Sequence, residues 1–434
     1  MLEDYKKRTP KSEKLWFRAN KVFAGGVNHN IRNFGMLSAG AYPPYIKSGK
    51  GSRIWDVDGN EYIDWWMTHY SDILGHCHRS IVSALRAQLE ECIHIGALNE
   101  HQVKFAEELQ EAIPFLQKMR FCTTGSEATM YGTRLARLFT GRKLVAKARG
   151  GWHGGNDAVG FHVSHPYDDE PYYNGLSFDF NDAESVTSLL KQHGKEIAAI
   201  IVEPVMGAAG GIPPTDGFLS FLREETEKRD ILLIFDEIIT GFRLSYGSAG
   251  SNIFGVEPDL LTLGKIVAGG MPFGLYGGRE DIMGLAAPGA KGGRWVGGGT
   301  FSSHPLSMTA GLATLAELKN RTSQYTQLSQ KGNRFKQKLN EAFDNVGSNN
   351  LATGFGSILF ISCLSKRIDE PLTGTKVGDV FDHQKQDLFQ AYLMEMGIFG
   401  YHGLGAMSFV HSDEDLDKTL LCAENAASKL LGNE

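Results

Sequence analysis

Cysteine is scarce in this chain: five residues in 434, Cys77, Cys92, Cys122, Cys363 and Cys422, an odd number without framework spacing. That excludes a disulfide scaffold and points to a reducing compartment. No apolar run approaches membrane length, and the opening Met1-Leu2-Glu3-Asp4-Tyr5-Lys6-Lys7 lacks the apolar core of a signal peptide. The expectation is a cytoplasmic protein without a membrane partner. Basic blocks are missing too. The signs are well mixed around a net charge of -6, which argues against a nucleic-acid surface and reads as solubility. There is no Pro-rich linker, internal repeat or low-complexity segment. What remains is an ordinary globular composition, 42% hydrophobic and 22% charged, in a chain long enough for a large core and two domains.

Glycine is plentiful. The 52 glycines cluster at Gly25-Gly26, Gly150-Gly151, Gly154-Gly155, Gly269-Gly270 and from Gly292 to Gly299. Loops that approach a ligand closely need residues without a Cβ, while ordinary turns account for about half of such a set.

The stretch through Leu15, Trp16 and Phe17 predicts a helix docked on the body or on a second subunit. Apolar runs at 54–57 and 62–65 flank Asp58-Gly59-Asn60, a hairpin signal. Ile81, Leu85 and Leu89 make one helical stripe. From there, strand candidates at 144–146, 197–202, 231–235 and 260–263 alternate with helical patterns such as 182–192 and 218–228, which implies crossovers and a mainly parallel sheet. A helix from Pro305 to about Leu318, an amphipathic helix marked by Phe335, Leu339 and Phe343, and a strand at 358–361 complete the pattern. The expected organisation is an N-terminal segment 1–74 joining a small domain, a large domain 75–310, and a C-terminal small domain 311–434.

Two of the strands, 231–235 and 260–263, each deliver one charged residue at the C-terminal end, Asp236 and Lys265. In open α/β sheets the site lies outside the carboxyl ends of the strands. An acid and a lysine meeting there suit pyridoxal phosphate: the amine forms a Schiff base with the aldehyde, and the carboxylate keeps the pyridine nitrogen protonated so that the ring withdraws electrons. The spacing alone also fits a loop start and a solvated lysine.

The wording of the stretch decides between these. Phe235-Asp236-Glu237-Ile238-Ile239-Thr240-Gly241-Phe242-Arg243, Pro258-Asp259-Leu260-Leu261-Thr262-Leu263-Gly264-Lys265 and Gly269-Gly270-Met271-Pro272 closely resemble the class III aminotransferases, nearest to the glutamate-1-semialdehyde aminomutase subgroup. The resemblance spans nearly the whole chain. It implies a fold-type I α/β enzyme, with a large domain whose mainly parallel sheet is flanked by helices and a smaller α+β domain drawn from both termini. It also implies pyridoxal 5'-phosphate as cofactor, with Lys265 and Asp236 as catalytic residues.

Other motifs carry further expectations. Phe121-Cys122-Thr123-Thr124-Gly125-Ser126-Glu127-Ala128 runs from a strand into a helix, where free N–H groups and the dipole favour an anion. From the bare residues Ser126 reads better as an N-cap; the resemblance implies that Gly125 and Ser126 hold the cofactor phosphate. Gly151-Trp152-His153-Gly154 resembles the family's aromatic-His-Gly motif, with Trp152 where Tyr or Phe is usual, so the implied role is stacking on the pyridine ring. Ile238 matches the position on the opposite ring face. Gly298-Gly299-Thr300-Phe301-Ser302 resembles the turn whose threonine reaches the phosphate of a neighbouring subunit, which implies a homodimer with shared sites. Gly26-Val27-Asn28-His29-Asn30-Ile31-Arg32 resembles the aminomutase Gly-Val-Asn-x-x-x-Arg, whose arginine grips a substrate carboxylate. Gly75-His76-Cys77-His78 looks like a metal cluster but lacks a second pair at zinc spacing, and no metal is expected.

Three regions depart from the aminomutase pattern. Met67-Thr68-His69-Tyr70-Ser71 stands where aminomutases read Gly-Ser-Trp-Gly-Pro, Ala208 stands in place of Asn, and 397–405 lacks the Phe-Glu-Ala-Gly segment. These positions shape the substrate pocket, with His69, Tyr70 and His402 as candidate lining. The expected function is therefore amino transfer between a carboxylate-bearing amino donor, an α- or β-amino acid, and an oxo acid, through Lys265. The alternatives are glutamate-1-semialdehyde 2,1-aminomutase and, more remotely, a non-catalytic protein of the same fold.

Overall fold

The computed structural model describes residues 2–171, 175–290 and 297–432; Gly292 and Gly293 of the last glycine cluster lie outside them. The chain divides into two compact units. The larger comprises residues 79–327 and 368–379, the smaller 1–78, 328–367 and 380–434.

In the larger unit the described residues form a seven-stranded sheet in the order Lys118–Cys122, Gly274–Gly278, Leu260–Gly264, Leu232–Asp236, Ile197–Val202, Leu144–Ala148, Gly175–Phe178. Gly274–Gly278 runs antiparallel to both neighbours, and the remaining pairings are parallel. The central strands are buried along their whole length. Continuous apolar runs such as Ile-Ala-Ala-Ile-Ile-Val follow from a parallel sheet with both faces covered. The helix Gly125–Thr140 packs on the sheet, and Ala183–His193 and Phe218–Glu227 are two of the crossovers.

Gly274–Gly278 carries no strand signal because three of its five residues are glycine. The backbone explains them: a Cβ on Gly274 would come within 2.3 Å of the Thr124 carbonyl oxygen, and one on Gly278 within 2.2 Å of that of Asp259. Close backbone approach, and not strand propensity, selects glycine here.

The helix Arg79–Glu91 forms, but its stripe is rotated from the expected one: Leu89 is 51% exposed and Gln88 is 5% exposed. The Gln88 amide is satisfied inside, accepting from Thr309 Oγ1 at 3.1 Å and donating to the Cys92 carbonyl at 3.1 Å.

The smaller unit takes chain from both ends and is α+β. Among its described residues, Ile46–Lys50, Arg53–Asp56 and Glu61–Asp64 form an antiparallel ladder, joined in parallel by Ile398–Phe399. Leu351–Phe355, Ile358–Ser362 and Gly405–Ala406 form a second, antiparallel sheet. The expected hairpin is present, and Asp56 organises it: Oδ1 accepts the N–H groups of Asp58 and Asn60 at 2.9 and 2.8 Å. Phe335, Leu339 and Phe343 of the helix Gln324–Asn345 are all buried.

Candidate active site

The parallel strands of the larger unit bring their carboxyl ends to one edge of the sheet, and the charged residues gather there. Leu232–Asp236 ends on Asp236, Leu260–Gly264 is followed by Lys265, Ile197–Val202 by Glu203, and Leu144–Ala148 leads to Trp152 and His153. Adjacent strands therefore present an acid, a lysine, a second acid and an imidazole.

Asp236 is 3% exposed and fully engaged. Its Oδ2 lies 2.8 Å from His153 Nδ1, while Oδ1 accepts from the Ile238 N–H at 3.1 Å and from Thr262 Oγ1 at 3.2 Å. Burial holds the His153 pKa below the usual histidine value despite the carboxylate. A neutral imidazole facing a carboxylate donates through that nitrogen, so the His153 proton sits on Nδ1. Nε2 is then a bare acceptor, buried and without a hydrogen-bond partner among the described residues.

Lys265 is partly buried and adopts a left-handed backbone, φ +50°. Such a conformation is uncommon for a residue with a Cβ and concentrates at functional sites. Burial pushes its ammonium down to about 8, with the charge of Arg243 in the same sense and those of Asp236 and Glu203 opposing. As the pH approaches 8 a sizeable fraction is the free amine, able to act as nucleophile or proton acceptor.

Glu203 is buried, and burial followed by the nearby charge of Asp236 pushes its carboxyl up to about 8. Its oxygens accept the N–H groups of Trp152 at 3.2 Å and Gly207 at 3.0 Å. Lys147, 0% exposed, donates to the carbonyls of Gly151 at 2.7 Å, Val159 at 3.2 Å and Phe161 at 2.5 Å. Burial brings its ammonium down to about 7.

The segment around Trp152 is thus held at nearly every residue. Lys147 takes the Gly151 carbonyl, Glu203 the Trp152 N–H, Thr129 Oγ1 the His153 carbonyl at 2.5 Å and Ser126 Oγ the Gly155 N–H at 3.1 Å. The Trp152 ring itself remains 44% exposed. A rigid backbone carrying an open aromatic face is a preorganised stacking surface.

Ile238 closes in from the strand side. A Cβ placed on Gly125 or on Gly264 would meet its Cδ1 at 3.1 Å in each case, so the isoleucine lies against both turns. At the start of Gly125–Thr140 the N-cap is Thr124, in a capping box with Glu127, and Ser126 has no capping role. Glu127 also accepts the N–H groups of Thr123 and Thr124. The N–H groups of Gly125 and Ser126 have no acceptor within the helix and face outward at the positive end of the dipole. Gly154, φ +91°, passes so close to Ser126 that a Cβ would come within 2.4 Å of Ser126 Oγ.

The structure therefore brings Gly125, Ser126, Trp152, Asp236, Ile238 and Lys265 to one sheet edge. Thr300 is exposed beside an open cavity of about 760 Å³ that Leu98, Gln102 and Pro305 also line, on a turn whose Gly299 would bring a Cβ to 3.7 Å from Glu127 Oε1 of the Gly125–Thr140 helix. Arg32 belongs to the smaller unit, exposed on the turn Asn30–Asn33. Three contributors were not singled out from the sequence as site residues: Glu203, Lys147 and His153. Glu203 follows an apolar run as Asp236 does, and the same signal marks it.

The class-III aminotransferase family model matches residues 38–367. The chain belongs to this family. A glutamate-1-semialdehyde 2,1-aminomutase of Thermodesulfovibrio yellowstonii is 37% identical over 437 residues, covering 98% of this chain and 100% of that one. A β-phenylalanine aminotransferase from Variovorax paradoxus superposes with a TM-score of 0.87 at 29% identity, covering 99% of this chain and 95% of the other. A transaminase solved with PLP bound gives 0.87 at 27% identity, covering 98% and 99%. This class-III enzyme accordingly has the fold-type I architecture and uses pyridoxal 5'-phosphate. Its own residues fit that group: an open Trp152 face, two outward N–H groups at a helix start, a glycine where a Cβ would collide, and a buried acid beside a lysine with depressed pKa. No helix among the described residues is long and apolar enough to cross a membrane.

Proposed function

We propose that this class-III enzyme moves an amino group between a carboxylate-bearing amino donor, an α- or β-amino acid, and an oxo acid. The pairing of Lys265 with buried Asp236 at neighbouring strand ends carries the reading. When bound, the cofactor supplies an aldehyde for the amino group and an electron-withdrawing ring. Gly125 and Ser126 hold its phosphate, Trp152 and Ile238 take the two ring faces, and Asp236 keeps its ring nitrogen protonated. His153 and Thr262 fix Asp236 for that task. Lys265, partly deprotonated near pH 8, takes a proton from the substrate carbon at Nζ and returns it. Glu203 and Lys147 hold the Trp152 peptide from opposite sides. Arg32 receives the carboxylate of the donor.

The same machinery serves an isomerase, glutamate-1-semialdehyde 2,1-aminomutase, and the name of the Thermodesulfovibrio yellowstonii relative favours that second reading. Transfer is preferred because 67–71 and Ala208, both expected to shape the substrate pocket, depart from the aminomutase pattern. We also infer a homodimer. Thr300 reaches the phosphate of the neighbouring site, and Ile93, Ile95, Leu98 and Phe301, each more than half exposed, are the apolar residues such a contact would cover. Five free cysteines are in keeping with a cytoplasmic location.

The test is to incubate holoenzyme with single donors and with glutamate semialdehyde, without an acceptor. One equivalent of free oxo product per chain supports transfer. Sustained turnover of the semialdehyde to 5-aminolevulinate makes the enzyme an aminomutase.

A further inference from the structure

Residues Met67, Thr68, His69 and Tyr70 adopt four consecutive left-handed conformations, φ +40°, +54°, +63° and +64°, and none is glycine. L-residues visit this region singly and reluctantly. The turn is closed by local hydrogen bonds: the Met67 N–H donates to Asp64 Oδ1 at 3.1 Å, the Tyr70 N–H to the Trp66 carbonyl at 3.0 Å and the Asp72 N–H to the Met67 carbonyl at 3.1 Å. Strain maintained by so many contacts marks a segment whose shape is used.

What the turn achieves is the placement of one ring. His69 stacks on Trp66, centroids 4.3 Å apart and planes at 16°. The exposed His29 meets His69 edge-on at 5.9 Å, and Tyr401 meets Trp66 edge-on at 5.5 Å. Trp66 is buried behind them, while His69 and Tyr401 remain partly open. The result, all within the smaller unit, is a wall of rings with a rigid backing. Arg32 follows His29 by three residues, and its charge, after burial, holds the His29 imidazole below its usual pKa. A cation for one carboxylate thus borders aromatic surface.

We propose that His29, His69 and Tyr401, together with Arg32, select amino donors bearing one carboxylate and an aromatic side chain. The carboxylate pairs with the guanidinium, and the flat side chain lies against the rings, where offset or edge contacts favour another aromatic group over a methyl. This rests on the reading of Arg32 as the receiver of the donor carboxylate. The turn at 67–70 is then a specificity element.

The experiment compares phenyl-bearing with methyl-bearing donors, α- and β-phenylalanine against α-alanine and β-aminobutyrate, in single half-reactions of the holoenzyme. The phenyl donors should be faster in rate over dissociation constant by about tenfold or more, the scale expected of an aromatic contact plus its apolar area. In His69→Asn, whose side chain tolerates a left-handed backbone, the phenyl-to-methyl ratio should fall at least about fivefold. As a check independent of folding in the variant, 3-phenylpropionate should compete with donor for the unmodified enzyme about tenfold better than butyrate. Equal use of both donor classes, or equal competition by the two acids, overturns the ring wall and leaves amino transfer standing. Failure of every donor overturns both.

Discussion

His153 Nδ1 lies 2.8 Å from Asp236 Oδ2, and the two side chains are buried together. Among the described residues the imidazole is the side chain hydrogen-bonded to that oxygen, so removing it deprives a buried carboxylate of one partner. A hydrogen bond to a charged group contributes about 1.5–3 kcal/mol. His153→Leu should lower kcat by about 10–100-fold and weaken retention of the cofactor, measured by steady-state kinetics and by dialysis of the holoenzyme.

Glu203 makes stability depend on pH in a definite direction. Burial pushes its carboxyl up to about 8, well above the usual carboxylate range, so between that range and about pH 8 the folded protein binds more protons than the unfolded chain and stability falls as pH rises. The slope from this group is at most about 1.4 kcal/mol per pH unit. Glu203→Gln removes the titration. Melting temperatures of the cofactor-free proteins from pH 5 to 8 should therefore show the variant gaining on the parent steadily as pH increases.

Lys147 supplies three N–H donors to three buried carbonyls. Lys147→Met fills the space and leaves all three unsatisfied, a loss of about 3–5 kcal/mol. Urea unfolding should report it as a lower midpoint at unchanged slope.

Gly154→Ala tests the cradle. The new Cβ would press on Ser126 Oγ and Cα, at 2.4 and 2.6 Å, from a backbone at φ +91°. Cofactor affinity should drop by about tenfold or more, read from the fluorescence of Trp152 and the other tryptophans as pyridoxal phosphate is titrated into the stripped protein.

The parts of this picture that were legible in the chain are those governed by burial and turn chemistry. Strands covered on both faces must be continuous apolar runs, so Leu232–Asp236 and Leu260–Gly264 announce themselves, and so do the charged residues at their ends. The Asp58-Gly59-Asn60 hairpin is equally local. What stayed hidden depends on distant backbone. Gly274–Gly278 is a strand because the Thr124 and Asp259 carbonyls leave no room for side chains. Gln88 turns inward in place of Leu89 because Thr309, far along the chain, offers it a hydrogen bond. The left-handed run at 67–70 has no glycine to mark it and is imposed by packing. Lys147 directly follows the strand candidate at 144–146, and nothing local marks the three carbonyls it reaches.

Lys265, and not the fully buried Lys147, should carry the cofactor. Borohydride reduction of the holoenzyme followed by peptide mass mapping tests it directly. Lys147, with its pKa brought down to about 7, is the natural competitor for the aldehyde. One pyridoxyl group per chain should appear on the peptide containing Lys265, and none after Lys265→Ala. A label on Lys147, or an unmodified Lys265 in protein that retains the cofactor, would contradict it.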